Sequence, residues 1–166
     1  MGFSYNRLTI HATAGFIQSI VDAWNNGDMC LVLSERYAID MQRTDRSPRE
    51  QARIRSIRTG SETSYGRPEG HPKVSADSDG TSVTIKFSSI EAPGVLRNML
   101  AELIGNKVTA FTLMCTDPTD KYVYVCNNWS TSQWRVVSNI DWIRSRIPAN
   151  VVAECNLESW AEEEEG

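Results

Sequence analysis

The chain has 166 residues, 40% hydrophobic and 23% charged, the composition of one globular domain with a real core. No run of about eighteen apolar residues offers a membrane-spanning helix. Seventeen basic residues face 21 acidic ones, and the net charge of -4 resides in the terminal run Glu162, Glu163, Glu164 and Glu165. The body is therefore neutral, which speaks against a protein that coats nucleic acid with its whole surface.

The opening stretch MGFSYNRLTI has no basic flank before an apolar run, so no secretory signal is expected, and Asn6 stands where a myristoylation signal requires serine or threonine. YNRLTIH predicts a strand with Asn6, Leu8 and Ile10 on one face and Tyr5, Arg7, Thr9 and His11 on the other. TAGFIQSIVDAWNNG predicts a helix: Thr13 caps it, Phe16, Ile17, Ile20, Val21 and Trp24 form its apolar stripe, and Asn25, Asn26 and Gly27 stop it. CLVLSERYAIDMQ reads as one or two short strands. Ser47 as cap, Pro48 in the first turn and Glu50 three residues past the cap then predict a helix from Pro48 to about Arg58, with Gly60 near its end. Only Ala52, Ile54 and Ile57 are apolar there, so shallow packing is expected. GSETSYGRPEGHPK follows as a loop.

KVSADSDGTSVTIKF predicts a hairpin with Asp79 and Gly80 in the turn and Val83, Ile85 and Phe87 on one face. APGVLRNMLAELIGN predicts the second strong helix: Pro93 fits its first turn, Val95, Leu96, Met99, Leu100, Leu103 and Ile104 face the core, and Gly105 ends it. KVTAFTLMCTDPTDKYVYVCN gives two strands around the turn DPTD. Beyond Asn127 a short strand over Trp134 to Val137, a helix over Asp141 to Ile147 and a last helix opened by Pro148 are expected. Leu8, Ile10, Phe16, Ile20, Val83, Ile85, Phe87, Leu96, Leu100 and Leu103 should share one core, with both strong helices on one face of the sheet.

The order strand, helix, strand, strand, helix, strand is that of a ferredoxin-like split βαβ core. On YNRLTI, SYGRP, VTIKFSSIEAPGVLRNML and NKVTAFTLM the chain resembles the YubB-type ferredoxin-like family encoded on plasmids and phages, over about residues 4–126. The family's usual Trp-x-Pro-Pro turn before the second helix is here SSIEAPG. The expected class is α+β: a ferredoxin-like domain over residues 1–126 with an inserted helical segment at about 28–70, a C-terminal helical extension over 127–161 packed on it, and an acidic tail over 162–166. The tail reads as a solvated end or as an acidic arm. The resemblance implies an accessory gene of a mobile element, in a bacterial host cytoplasm, and supplies no catalytic residues.

Sites of chemistry are few. Cys30, Cys115, Cys126 and Cys155 form no Cys-x-x-Cys pair, and His11 and His71 are the only histidines, so no zinc set is expected and the thiols read as reduced and buried. Asp77, Asp79, Asp117 and Asp120 frame turns, where aspartate bonds the backbone. YGRPEGHP lacks the phosphate-cradling glycine pattern. No cofactor, metal or catalytic residue is expected. Trp24 belongs to a helix stripe. Trp129, Trp134, Trp142 and Trp160 come late and form either an outer packing layer or a binding surface, Trp134 and Trp142 above all. Arg46, Arg49, Arg53, Arg55 and Arg58, beside Arg43, make a local basic patch, with Arg49 and Arg53 expected to be exposed on one side. It reads as a solvated helix face, a protein-docking surface or a nucleic-acid contact. The function expected is that of a non-enzymatic phage or plasmid accessory protein that binds a host protein or nucleoprotein complex. An inhibitor of a bacterial defence complex, such as an anti-CRISPR protein, is the concrete candidate. The alternative is a nucleic-acid-binding module using the arginine helix.

Overall fold

The computed structural model describes residues 4–65, 67–75, 79–90, 92–128 and 130–161. Its elements, in chain order, are β1 (Ser4–Ala12), α1 (Ala14–Asn25), α2 (Cys30–Leu33), α3 (Glu35–Gln42), α4 (Pro48–Tyr65), β2 (Arg67–Pro68), β3 (Lys73–Val74) and β4 (Ser82–Ser89). After these come α5 (Gly94–Leu103), β5 (Val108–Asp117), β6 (Tyr122–Asn127), β7 (Ser130–Arg135), α6 (Ile140–Arg146), α7 (Ala149–Glu154) and a 3-10 turn over Leu157–Trp160.

The strands form one antiparallel sheet in the order β2-β4-β1-β5-β6-β7, with β3 also on β4. β1 lies between β4 and β5 and runs antiparallel to both. Those two are therefore parallel to each other, and α5 makes the crossover between them. The order is not the simple four-stranded ferredoxin pattern, since β6 and β7 extend the sheet beyond β5. The expected hairpin is present: Lys73 pairs with Thr84 and Val74 with Val83, and the turn residues Asp79 and Gly80 take positive φ.

Alternation sends Leu8, Ile10, Val83, Ile85, Phe87, Phe111, Leu113 and Cys115 to one face, where they meet buried residues of α1 to α5. All ten predicted core residues lie in this cluster, Phe16 at its margin, and α1 and α5 share the face. Trp24 packs edge-on against Phe87 at 6.1 Å. The inserted segment is part of this core through Met29, Leu33, Tyr37 and Ile54.

Two expectations are corrected here. Cys30 to Gln42 is helical, not extended. Ser34 separates α2 from α3 and caps the latter, its Oγ accepting from Tyr37 N at 3.2 Å. Tyr37 and Asp40, three apart on α3, are then buried on one side. The helix from Pro48 also continues through Gly60 to Tyr65. Ser47 caps it as expected, accepting from Glu50 N at 3.2 Å, but the Glu50 carboxylate pairs with Arg43 at 2.8 Å.

Gly60 sits mid-helix because α5 lies against it. A Cβ there would stand 2.6 Å from Val95 Cγ2 and 3.3 Å from Val95 Cβ. Gly60→Ala gains about 1 kcal/mol of helix propensity and incurs about 1–3 kcal/mol of overpacking. Val95, β-branched and stiff at χ1, cannot readily swing its methyls clear, so overpacking prevails. Urea unfolding should show a net loss of about 1 kcal/mol. Val95→Ala in the same chain should return it, a coupling that a double-mutant cycle reads directly.

The opposite face is covered over part of its breadth. Met114, Val123 and Val125 meet Val136, Ile143, Ile147, Val151, Val152 and Leu157 in a second cluster under α6, α7 and the 3-10 turn. Asn139 caps α6, accepting from Trp142 N at 3.0 Å, and Asn156, at φ 50°, separates α7 from the 3-10 turn. Strand β7 occupies 130–135 rather than the expected 134–137.

Candidate functional site

The arginines in and just before α4 divide into two groups. Arg53 donates twice to the buried Asp40, from Nε at 2.7 Å and from Nη2 at 2.9 Å. Arg46 covers the open carbonyls at the end of α3, Nε meeting Asp40 O and Arg43 O and Nη2 meeting Met41 O, each at 3.1 Å. Arg58 Nε donates to the Tyr37 hydroxyl at 3.1 Å, and that hydroxyl donates to Asp28 Oδ2 at 3.0 Å. Burial raises the Tyr37 pKa, so the phenol stays protonated in this network. Arg49 and Arg55 are exposed.

These contacts answer the physical problem that α4 poses. A helix with so few apolar positions cannot be held by burial alone, and its guanidinium groups bind the polar backbone and carboxylate of α3 instead. The expectation that Arg53 is free alongside Arg49 is therefore corrected, and Arg46 and Arg58 also face inward contacts.

The pair has a pH signature. The Arg53 guanidinium, chiefly through its hydrogen bonds, holds the Asp40 carboxyl below its ordinary range. A carboxylate depressed in the folded state stabilises fully above its unfolded pKa, about 4, and loses that contribution as pH falls through the folded value. The thermal midpoint should thus hold steady down to about pH 5 and drop below about pH 4. Arg53→Gln should lower the midpoint at neutral pH and flatten this part of the acid limb. Thermal unfolding over a pH series checks both.

The late tryptophans serve mainly as packing. Trp134, Trp142 and Trp160 are half-buried against the second cluster, and Lys121 Nζ lies 5.2 Å from the Trp160 ring centre. Trp129 and the acidic tail lie outside the described residues. None of the four cysteines is in a disulfide. Burial pushes the Cys115 thiol up and Cys155 to about 11, so neither is a thiolate at neutral pH.

A surface that sequence reasoning passed over is the uncovered half of the second sheet face. β1 contributes Tyr5, Arg7, Thr9 and His11. β4 adds Ser82, Thr84, Lys86 and Ser88. Lys73 on β3 continues the Thr84 row. On the other side Thr112, Asn127 and Ser132 lead to a groove of about 380 Å³ walled by Trp134, Pro148, Asn150, Val151 and Glu154. Arg7 faces Lys86 directly across the β1-β4 ladder. The Arg7 Nε is buried without a hydrogen-bond partner among the described residues. Tyr5 is 47% exposed. The alternation Tyr5, Arg7, Thr9, His11 was legible in the sequence; that α6 and α7 would stop short of this half was not.

Among the described residues no helix is long and apolar enough to cross a membrane. No family model matches the chain, and no curated protein and no solved structure shows significant similarity to it.

Proposed function

We propose that this protein is a non-enzymatic binding protein of a phage or other mobile element, acting in the bacterial cytoplasm by occupying a host macromolecule. A nucleoprotein complex of a bacterial defence system, engaged as an anti-CRISPR protein engages its target, is the concrete form of that reading. The observation that carries it is the half-covered sheet. One face is filled by five helices, the other is capped only over β5 to β7, and the remainder presents a polar surface that carries Arg7, Lys86, Lys73 and Tyr5, with Arg7 also lining the groove.

We read the scaffold as a ferredoxin-like core of the YubB type. What supports the split βαβ part of that reading is that β4 and β5 are parallel with β1 between them and α5 joining them, and that β3 lies at the edge on β4. On this reading α2 to α4 form the insertion, and β7, α6 and α7 the extension.

The test is affinity capture from a bacterial host lysate, with and without nuclease, using the wild-type chain and an Arg7→Glu/Lys86→Glu variant. A defined complex retained by the wild type and lost by the variant is expected. Equal recovery by both, or none by either, would overturn the proposal.

A further inference from the structure

We infer that the open half of the sheet is a binding site for single-stranded nucleic acid, with Arg7, Lys86 and Lys73 taking backbone phosphates and Tyr5 stacking on a base. The inference deepens the binding reading above and rests on it.

Like charges directly opposite on adjacent antiparallel strands destabilise the pair, and Arg7 and Lys86 are such a pair at the centre of the sheet. A merely solvated face has no need of that placement: threonine at either position would suit the strand better. A locally unfavourable choice of this kind marks a functional site. An anion seated between the two side chains reverses the sign of the interaction. The buried, unpartnered Nε of Arg7 is a second indication, because it is a donor whose hydrogen bond the protein does not supply. Lys73, one row along and one strand out, extends the positive charge in a line.

The occupant follows from the surroundings of the cations. The strand positions of β1, β3 and β4 on this face carry hydroxyls, an imidazole and cations; the nearby carboxylates are Glu69, at the sheet edge, whose N–H donates to Lys86 O at 2.9 Å, and Glu154, on the α7 wall of the groove. A phosphodiester chain suits such a surface, since hydroxyls and guanidinium groups both donate to phosphate. Tyr5, two positions from Arg7 on the same face and nearly half exposed, offers a ring to an unpaired base. A duplex hides its base faces and could not use it. An acidic peptide would satisfy the cations but leave Tyr5 without a role.

The experiment is fluorescence anisotropy with labelled oligothymidylate and oligouridylate of about twenty nucleotides, the matching duplex, and an oligoglutamate peptide, each over a salt series. The wild type should bind the single strands, more tightly than the duplex or the peptide. Arg7→Glu/Lys86→Glu should remove binding. The neutral Arg7→Thr/Lys86→Thr variant should flatten the log-log salt slope by about 1.4, two phosphate contacts' worth on a single strand. It should also unfold no more readily than the wild type, which separates lost binding from lost fold. Tyr5→Ala should weaken binding by about tenfold. The inference is overturned if the single strands do not bind, if duplex or oligoglutamate binds more tightly, or if Arg49→Glu/Arg55→Glu abolishes binding while the Arg7/Lys86 variants do not. Nuclease-resistant capture of a host complex alongside failed oligonucleotide binding would overturn this inference and leave the broader reading standing.

Discussion

Leu100→Ala is expected to destabilise the protein by about 2–5 kcal/mol. Leu100 is fully buried, in the middle of the α5 stripe formed by Leu96, Met99, Leu100 and Leu103. That stripe lies over the sheet, and α4 packs on α5 closely enough to exclude a Cβ at Gly60. The space left by the missing isopropyl group lies inside the larger cluster, between strands and helices whose backbones are held by their own hydrogen bonds. They cannot close in without breaking those bonds, so little of the cavity collapses and the cost belongs in the upper part of the range. Urea unfolding measures it, with an unchanged m-value as the sign that compactness is not altered. Leu31, 45% exposed, is the control: its alanine variant should stay within about 0.5 kcal/mol of the wild type. A Leu100→Ala cost below about 1 kcal/mol would show that α5 is not held as described.

The second large effect is expected at Ile143→Ala, also about 2–5 kcal/mol but in the lower part of that range, because the cluster beneath α6 and α7 is smaller. Ile143 is fully buried there against residues from β5 and β6. The two clusters share those strands: Met114 faces one and Leu113 the other, in adjacent positions of β5. Losing one side exposes the back of strands on which the other depends, so the chain should unfold in one transition. Its own fluorophores report this. Trp134, Trp142 and Trp160 all lie against the second cluster, whereas far-UV circular dichroism follows the whole chain. Both signals should move to lower denaturant together in Ile143→Ala. A shift seen by fluorescence alone would show that the cap unfolds by itself.

The parts legible in the sequence are those with strong period and clear punctuation. Thr13 and the stripe from Phe16 to Trp24 place α1; Pro93, Leu96 and Leu100 place α5; Asp79 and Gly80 place the hairpin turn. Cys30 to Gln42 misleads because its apolar residues suit a short strand as well as a short helix, and the deciding signal, the Ser34 cap, is a hydrogen bond rather than a composition. Gly60 reads as an ending and is a contact, which only the approach of Val95 discloses. The arginines illustrate the same limit. Their clustering is visible, but the partner that holds Arg53 is Asp40, thirteen positions away on a helix whose residues read as a strand. The basic sheet face is hidden for a further reason. Arg7, Lys86 and Lys73 are ordinary singly and become a site only when the strands are laid side by side.

The placement of β1 between β4 and β5 has a consequence for how the chain reaches this state in a cell. The hydrogen bond from Asn6 to Ser89 closes a span of 83 positions, and that from Thr116 to Tyr5 one of 111. At about 5–20 residues per second the ribosome delivers β5 on the order of ten seconds after β1. For most of that time, until β4 is made, the strand that will become the centre of the sheet has no partner on either side. Pairings this distant fold slowly, because the chain must be ordered before the contacts return any stability. The element made directly after β1 is α1, whose apolar stripe forms within about a microsecond and can shelter Leu8 and Ile10. The first 25 residues thus act as their own temporary chaperone, and an α1 with a weakened stripe should show its defect first in yield and aggregation during synthesis, before equilibrium unfolding registers it.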